Sequence, residues 1–185
     1  QPGETMLALG AAGAIGTACL QVAKAFGARV IASASSEDKR SLARECGADE
    51  AIDSGAEDWR AQIKALTGGK GVDVIADPGG GSMTEKAFRS LAWKGRHLVL
   101  GYAEGAIPAL PVNLALLKGS ALVGVDFRQF NGIEPEESRK NLAALFELYA
   151  KGAVTPPIAA AQPLSEFQSA MQAVIGQKPV GRDVL

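Results

Sequence analysis

Histidine is almost missing from this chain. His97 stands alone, and the two cysteines, Cys19 and Cys46, belong to no C-x-x-C pair. That inventory gives no support for a zinc site, and both cysteines, set inside helical patterns, read as small buried hydrophobes. His97 lies mid-strand in GRHLVLG and reads as structural. Charge of one sign is lacking too: 19 Lys and Arg against 20 Asp and Glu leave a net charge of −1 with no basic block, which points away from nucleic acid and membrane surfaces as partners. No apolar run approaches a membrane span and QPGET is no signal peptide, so the expected setting is cytoplasmic. No nucleophilic triad and no paired carboxylates are present. What is plentiful is apolar sequence, 47% of 185 residues, and glycine, 22 residues. That suffices for one large domain, or one domain with an appendage.

Residues 5–16, TMLALGAAGAIG, carry the most information. Thr5 to Leu9 is an apolar run suited to a strand buried on both faces, and the loop that follows is nearly free of side chains. Ile15, Cys19, Val22, Ala23 and Phe26 then recur at helical spacing, with Gly27 placed as the C′ residue. The first N–H groups of such a helix have no intrahelical partner and sit at the positive end of its dipole, so a phosphate at Gly13 to Gly16 would satisfy both. On the dinucleotide fingerprint Ala11 takes the first glycine position, Gly13 the second and Gly16 the third. A small-residue turn needed only for packing is the alternative.

The second strand, Arg29 to Ala34, ends about 20 residues from that loop, as a mononucleotide-binding unit requires. Where an NAD-binding chain places Asp or Glu, this one has Ala34, then Ser35, Ser36, Lys39 and Arg40. Hydroxyls and cations at a helix start suit the 2′-phosphate of NADP, although Ser36 also fits as a plain N-cap, and Glu37 and Asp38 dilute the positive charge.

The remaining pattern predicts a helix over Glu37–Cys46 closed by Gly47, a strand at Ala51–Asp53, a helix at Trp59–Leu66 and a strand at Val72–Ala76. A helix capped by Ser82 with Glu85 as a capping box runs to about Leu91, and strands follow at Leu98–Leu100 and Leu122–Val125. Helix Glu136–Ala150, with Leu142, Leu145, Phe146 and Tyr149 on one side, reads as core-facing. Such a βαβ series is an α/β fold with a doubly wound parallel sheet, a Rossmann fold. Ligands then lie beyond the carboxyl ends of the strands, which nominates the loops Asp77 to Gly81, Gly101 to Ala103 and Asp126 to Arg128. The glycines there either admit a flat ring or merely turn the chain.

GAAGAIG, GARVIASASSEDK, GADEAID, LTGGKGVDVIADPGGG, GRHLVLGYAEG and LVGVDF, in that order, resemble the cofactor-binding portion of the zinc-independent medium-chain dehydrogenase/reductases, in particular NADPH:quinone oxidoreductases of the zeta-crystallin type. The resemblance runs nearly end to end. It implies NADPH along the strand ends, with Ala12, Gly13, Ala14, Ile15 and Gly16 facing the pyrophosphate, and Ser35, Ser36, Lys39 and Ser54 near the adenosine phosphate. Gly81, Gly101, Tyr102, Val125, Asp126 and Phe127 would lie near the nicotinamide half. Ser54 departs from the Tyr or His the family often carries, which implies a weaker grip on the adenosine end. By the same resemblance residues 1–156 are the Rossmann domain. Residues 157–185, a strand–helix–strand tail with its helix at Leu164–Ile175 and its last strand at Val180–Leu185, would complete a GroES-like catalytic domain absent from this chain. Edge pairing over Leu122 to Phe127 would give a homodimer. The implied reaction is hydride transfer from NADPH to a small-molecule substrate, a quinone, enone or related conjugated carbonyl, with no catalytic side chain and no metal. A non-catalytic nucleotide-binding or regulatory module would bind NADPH without turnover. A domain binding S-adenosylmethionine usually has an acid after its second strand, against which Ala34 argues.

Overall fold

A computed structural model of the chain describes residues 1–175 and 182–184. Its centre is a six-stranded parallel sheet of β1 (Thr5–Ala8), β2 (Arg29–Ala34), β3 (Glu50–Asp53), β4 (Val72–Asp77), β5 (Leu91–Val99) and β6 (Ala121–Gly124), in the spatial order β3-β2-β1-β4-β5-β6. This is the doubly wound Rossmann arrangement, and the order reverses between β1 and β4. Leu7 of β1 aligns with Ile31 of β2 and Ile75 of β4.

The period-2 alternation of β1 divides the core. Met6 and Ala8 face the layer of α1 (Ala14–Ala25) and α2 (Glu37–Glu45), where Leu20 and Ala43 are fully buried. Leu7 faces the opposite layer of α3 (Trp59–Leu66), α4 (Met83–Phe88) and α5 (Asn113–Lys118), with Ile63, Phe88 and Leu114. Each fully buried aliphatic side chain contributes about 2 kcal/mol to that packing. Gly27 and Gly47 follow the ends of α1 and α2 with positive φ, as the sequence predicts. A buried bond from Trp59 Nε1 to Ser33 Oγ, 2.9 Å, ties α3 to β2.

Several elements differ from the sequence expectation. The helix after Ser82 stops at Phe88 rather than near Leu91, because Leu91 pairs with Val72 and opens β5. That strand, expected from the sequence only over Leu98–Leu100, runs through Trp93-Lys94-Gly95-Arg96. There it bulges, with Lys94 at φ 62° and the register shifted between Val72 and Val74. Ser82 has helical dihedrals and makes no side-chain cap, and Glu85 binds Arg89 instead, so the capping box is not formed. The predicted loop Asp126 to Arg128 opens α6 (Phe127–Ile133). The helix α7 (Pro135–Ala150) exists as expected, yet buries none of its residues: Leu142, Leu145, Phe146 and Tyr149 are all exposed, Phe146 by 64%. The tail strands β7 (Ile158–Ala161) and β8 (Arg182–Val184) pair with each other in parallel, apart from the main sheet, and flank a 3-10 turn (Leu164–Glu166) and α8 (Phe167–Ile175). Val180, Gly181 and Leu185 of the predicted last strand lie outside the described residues.

Candidate functional site

Beyond the carboxyl end of β1, at the point where strand order reverses, the chain makes a tight turn into α1. The Ala11 N–H is bonded to the Ser33 carbonyl at 3.2 Å, anchoring the turn to β2, and the Gly13 N–H closes back on the Gly10 carbonyl at 2.9 Å. Gly13 is the N-cap, and Thr17 is the first residue of the helix whose N–H finds a helical acceptor, the Gly13 carbonyl. Among the described residues the N–H groups of Ala14, Ile15 and Gly16 have no partner. No side chain caps this helix and no acid occupies its first turn. The contrast with α2 is direct, since there Ser36 supplies a cap and Glu37 and Asp38 meet the dipole. Gly13, Ala14 and Ile15 are exposed, while Ala12 and Gly16 are buried. A Cβ on Gly16 would come within 2.3 Å of the Gly10 carbonyl oxygen and 2.7 Å of the Ala11 Cα. Gly16 therefore sets how closely the helix start approaches the turn, and what remains is a bare row of donors at a positive helix end.

At the end of β2, Ser35 and Ser36 are exposed, and the Lys39 side chain makes no ion pair among the described residues. The Ser36 hydroxyl accepts from the Lys39 N–H at 3.4 Å, and the Ser54 N–H donates to the Ala34 carbonyl at 3.2 Å, which brings β3's end into the same rim. Arg40 is held in place by Glu37 at 2.9 Å and by the Ala34 carbonyl at 3.2 Å, with Asp53 Oδ1 3.6 Å away. Asp53 lies in register with Ala34. The absence of an acid on β2 thus holds for that strand alone: its neighbour supplies one, paired to Arg40, which only the strand pairing exposes.

On the other half of the sheet, the loops after β4 and β5 are locked together. Ala103 N–H donates to the Pro78 carbonyl at 3.1 Å, Glu104 N–H to Gly79 at 3.0 Å and Gly81 N–H to Ala106 at 3.1 Å. A Cβ on Gly80 would stand 2.9 Å from the Tyr102 ring, and one on Gly81 would stand 2.2 Å from the Glu104 carboxylate. Both positions also have positive φ, 68° and 64°, which calls for glycine without a ligand. Gly81, Gly101 and half-exposed Tyr102 are brought together, and Val125 follows on the next strand end, its N–H on the Val99 carbonyl at 3.0 Å. Asp126 caps α6 by accepting from the Gln129 N–H at 3.0 Å, and this bond lowers its pKa, so its side chain has a structural partner. Phe127 is exposed as the first residue of α6.

Beneath the first of these loops lies a cluster that spacing does not reveal. Asp77 is buried, with Oδ1 accepting from the N–H groups of Gly79 (3.1 Å) and Gly80 (2.8 Å), and Oδ2 from the Thr84 hydroxyl (2.8 Å). Fully buried His97 places Nε2 2.9 Å from the same Oδ2, and its ring stacks on Phe88. Burial raises the Asp77 carboxyl, but the bonds from His97, Gly80 and Thr84 outweigh it, and its pKa lies below the ordinary value. An ionised carboxylate only accepts, so the His97 Nε2–H donates to it, and among the described residues the buried Nδ1 has no partner.

Two surface concavities, one between α3 and α4 and one around Arg29, Asp73 and Trp93, are lined by none of the residues placed at this crevice. Among the described residues no group of three His, Cys, Asp or Glu side chains is placed to hold a metal, and no helix is long and apolar enough to cross a membrane.

A family profile described as zinc-binding dehydrogenase matches residues 14–147. Quinone oxidoreductase-like protein 2 of Rattus norvegicus is 35% identical over all of this chain and 53% of its own length. The chain spans about half the length of the curated relatives it matches. Among solved structures, a mycobacterial quinone oxidoreductase superposes with a TM-score of 0.88 at 29% identity, covering 100% of this chain and 57% of that one. A mycobacterial protein complexed with NADPH gives 0.86 at 28% identity, covering 98% and 57%.

Proposed function

This chain belongs to the zinc-binding dehydrogenase family, and on that footing we propose that it is the NADP(H)-binding domain of an oxidoreductase that transfers hydride from NADPH to a quinone, enone or related conjugated carbonyl. The observation that carries the reading is the uncapped, acid-free start of α1 at the switch point of a 3-2-1-4-5-6 sheet, where three N–H groups await an acceptor.

Ala12 to Gly16 hold the pyrophosphate, through main-chain N–H groups at Ala14 to Gly16. Ser35, Ser36, Lys39 and Ser54 receive the adenosine phosphate, with Lys39 as the uncommitted cation. Gly81, Gly101, Tyr102 and the main chain from Val125 to Phe127 frame the nicotinamide half. NADPH supplies the hydride when bound; the residues fix its ring and keep water away, and no side chain of this chain acts as a catalyst. Despite the family's name, the described residues of this chain offer no ligand set for zinc.

Residues 1–156 form the nucleotide domain, and residues 157–185 belong to a GroES-like catalytic domain, a division supported by the separate pairing of β7 with β8. Leu122, 52% exposed on the outermost strand of the sheet, marks the edge where a second copy pairs, and Leu122→Lys is expected to shift sedimentation towards monomer.

Isothermal titration with NADPH, NADH and S-adenosylmethionine tests the reading. NADPH is expected to bind about tenfold tighter than NADH, with no S-adenosylmethionine binding. Equal or tighter NADH binding refutes the NADP preference, and binding of neither dinucleotide refutes the function.

A further inference from the structure

In a sheet of this order the β4–β5–β6 half receives the second mononucleotide, so the loops after β4 and β5 shape its pocket. The loop after β4 is tied to one buried carboxylate: Asp77 Oδ1 takes the Gly79 and Gly80 N–H groups, and Oδ2 takes Thr84 at the start of α4 and His97 from β5. From Pro78 and Gly79 the link passes to Ala103 and Glu104 through their N–H groups. Asp77 is 2% exposed and cannot reach a ligand itself. A buried, ionised carboxylate needs donors on both oxygens, so what matters here is where its donors come from. Its four donors come from β5, α4 and the loop, which makes it a junction between elements, and among the described residues the His97 Nδ1 beside it is buried with no partner.

We propose that Asp77 is a positioning residue for the nicotinamide half of the dinucleotide, holding the Gly79–Gly81 loop, and through it the Gly101–Glu104 loop, in the conformation that half requires. This rests on the dinucleotide reading above, and the choice of probes separates the two. NADPH engages both halves of the site, whereas 2′,5′-ADP engages only the adenosine half, which is built on β1, β2 and β3.

Titrations of the 185-residue chain with NADPH and with 2′,5′-ADP, alongside its Asp77→Ala and Asp77→Asn variants, test this. Asp77→Ala removes every acceptor and is expected to weaken NADPH about tenfold while leaving 2′,5′-ADP within about twofold. Asp77→Asn keeps a carbonyl oxygen for the two glycine N–H groups and is expected to recover most of the NADPH affinity. A core residue without positioning work would lower stability and leave the ratio of the two affinities unchanged. The proposal is overturned if folded Asp77→Ala keeps NADPH affinity or loses both ligands alike, or if Asp77→Asn does no better than Asp77→Ala. Should Asp77→Ala not fold, Thr84→Val, which removes one of the four donors, takes its place in the same comparison and is decided by the same outcomes, with Thr84→Ser as the restoring variant. Wild-type protein that binds neither ligand removes the dinucleotide reading and this inference with it.

Discussion

Gly16→Ala sets a small chemical change against a rigid obstacle. The added Cβ stands 2.3 Å from the Gly10 carbonyl oxygen and 2.8 Å from the Ala11 carbonyl carbon, both well inside ordinary contact, and these are atoms that cannot rotate away. The turn is pinned by the Ala11 N–H to Ser33 and the Gly13 N–H to Gly10, and the helix by buried Thr17 and Leu20, so relief requires α1 to lift from the sheet. Alanine gains up to about 1 kcal/mol in helix propensity over glycine, while overpacking of this kind costs about 3 kcal/mol or more, so the clash wins by about 2 kcal/mol. Gly13→Ala is the control: its φ is −76° and its Cβ would meet the Gly10 oxygen at 3.3 Å, a contact relieved by a few tenths of an ångström, so a loss below about 1 kcal/mol is expected. Urea unfolding of both variants measures this. Gly16→Ala within about 0.5 kcal/mol of wild type, or Gly13→Ala the more damaging of the two, would refute the close-approach argument.

The Glu4–Arg96 pair, with bonds of 2.7 and 2.8 Å, holds the Glu4 carboxyl down to about 2, chiefly through the Arg96 guanidinium. A lowered folded pKa stabilises above the ordinary value near 4.5 and ceases to do so as pH falls through about 2. The partly exposed pair should therefore contribute about 1–2 kcal/mol at neutral pH, and a stability gap between wild type and Glu4→Gln that fails to close over that acid range contradicts the assignment. Trp59→Phe removes the buried donor to Ser33 Oγ and is expected to cost about 1–3 kcal/mol by urea unfolding; an unchanged midpoint would show that the bond is dispensable.

From β1 to β4 the element order was legible in the sequence, because each strand there is a short apolar run ending in turn chemistry and α1 and α2 end at glycines. The pattern failed where tertiary contacts override it. Leu91 reads as the end of a helix until Val72 is seen beside it, and the bulge at Lys94 lets β5 begin well before the Leu98–Leu100 run that the sequence marks. The apolar stripe of α7 is real, yet the described residues leave it uncovered, since period alone does not say what lies opposite. At the candidate site, the bare turn before α1 was visible in its composition. Asp53 escaped a reading of β2 because its proximity to Ala34 is a matter of strand register. The Asp77–His97 bond joins residues 20 apart on adjacent strands, and no local pattern marks it.

Amide chemical-shift mapping during an NADPH titration tests the central claim most directly, because the claim concerns particular N–H groups. The largest shifts should fall on Ala14, Ile15 and Gly16, with lesser ones at Ser35, Lys39 and Gly101. Shifts confined to the groove between α3 and α4, with those three amides unmoved, would contradict the account.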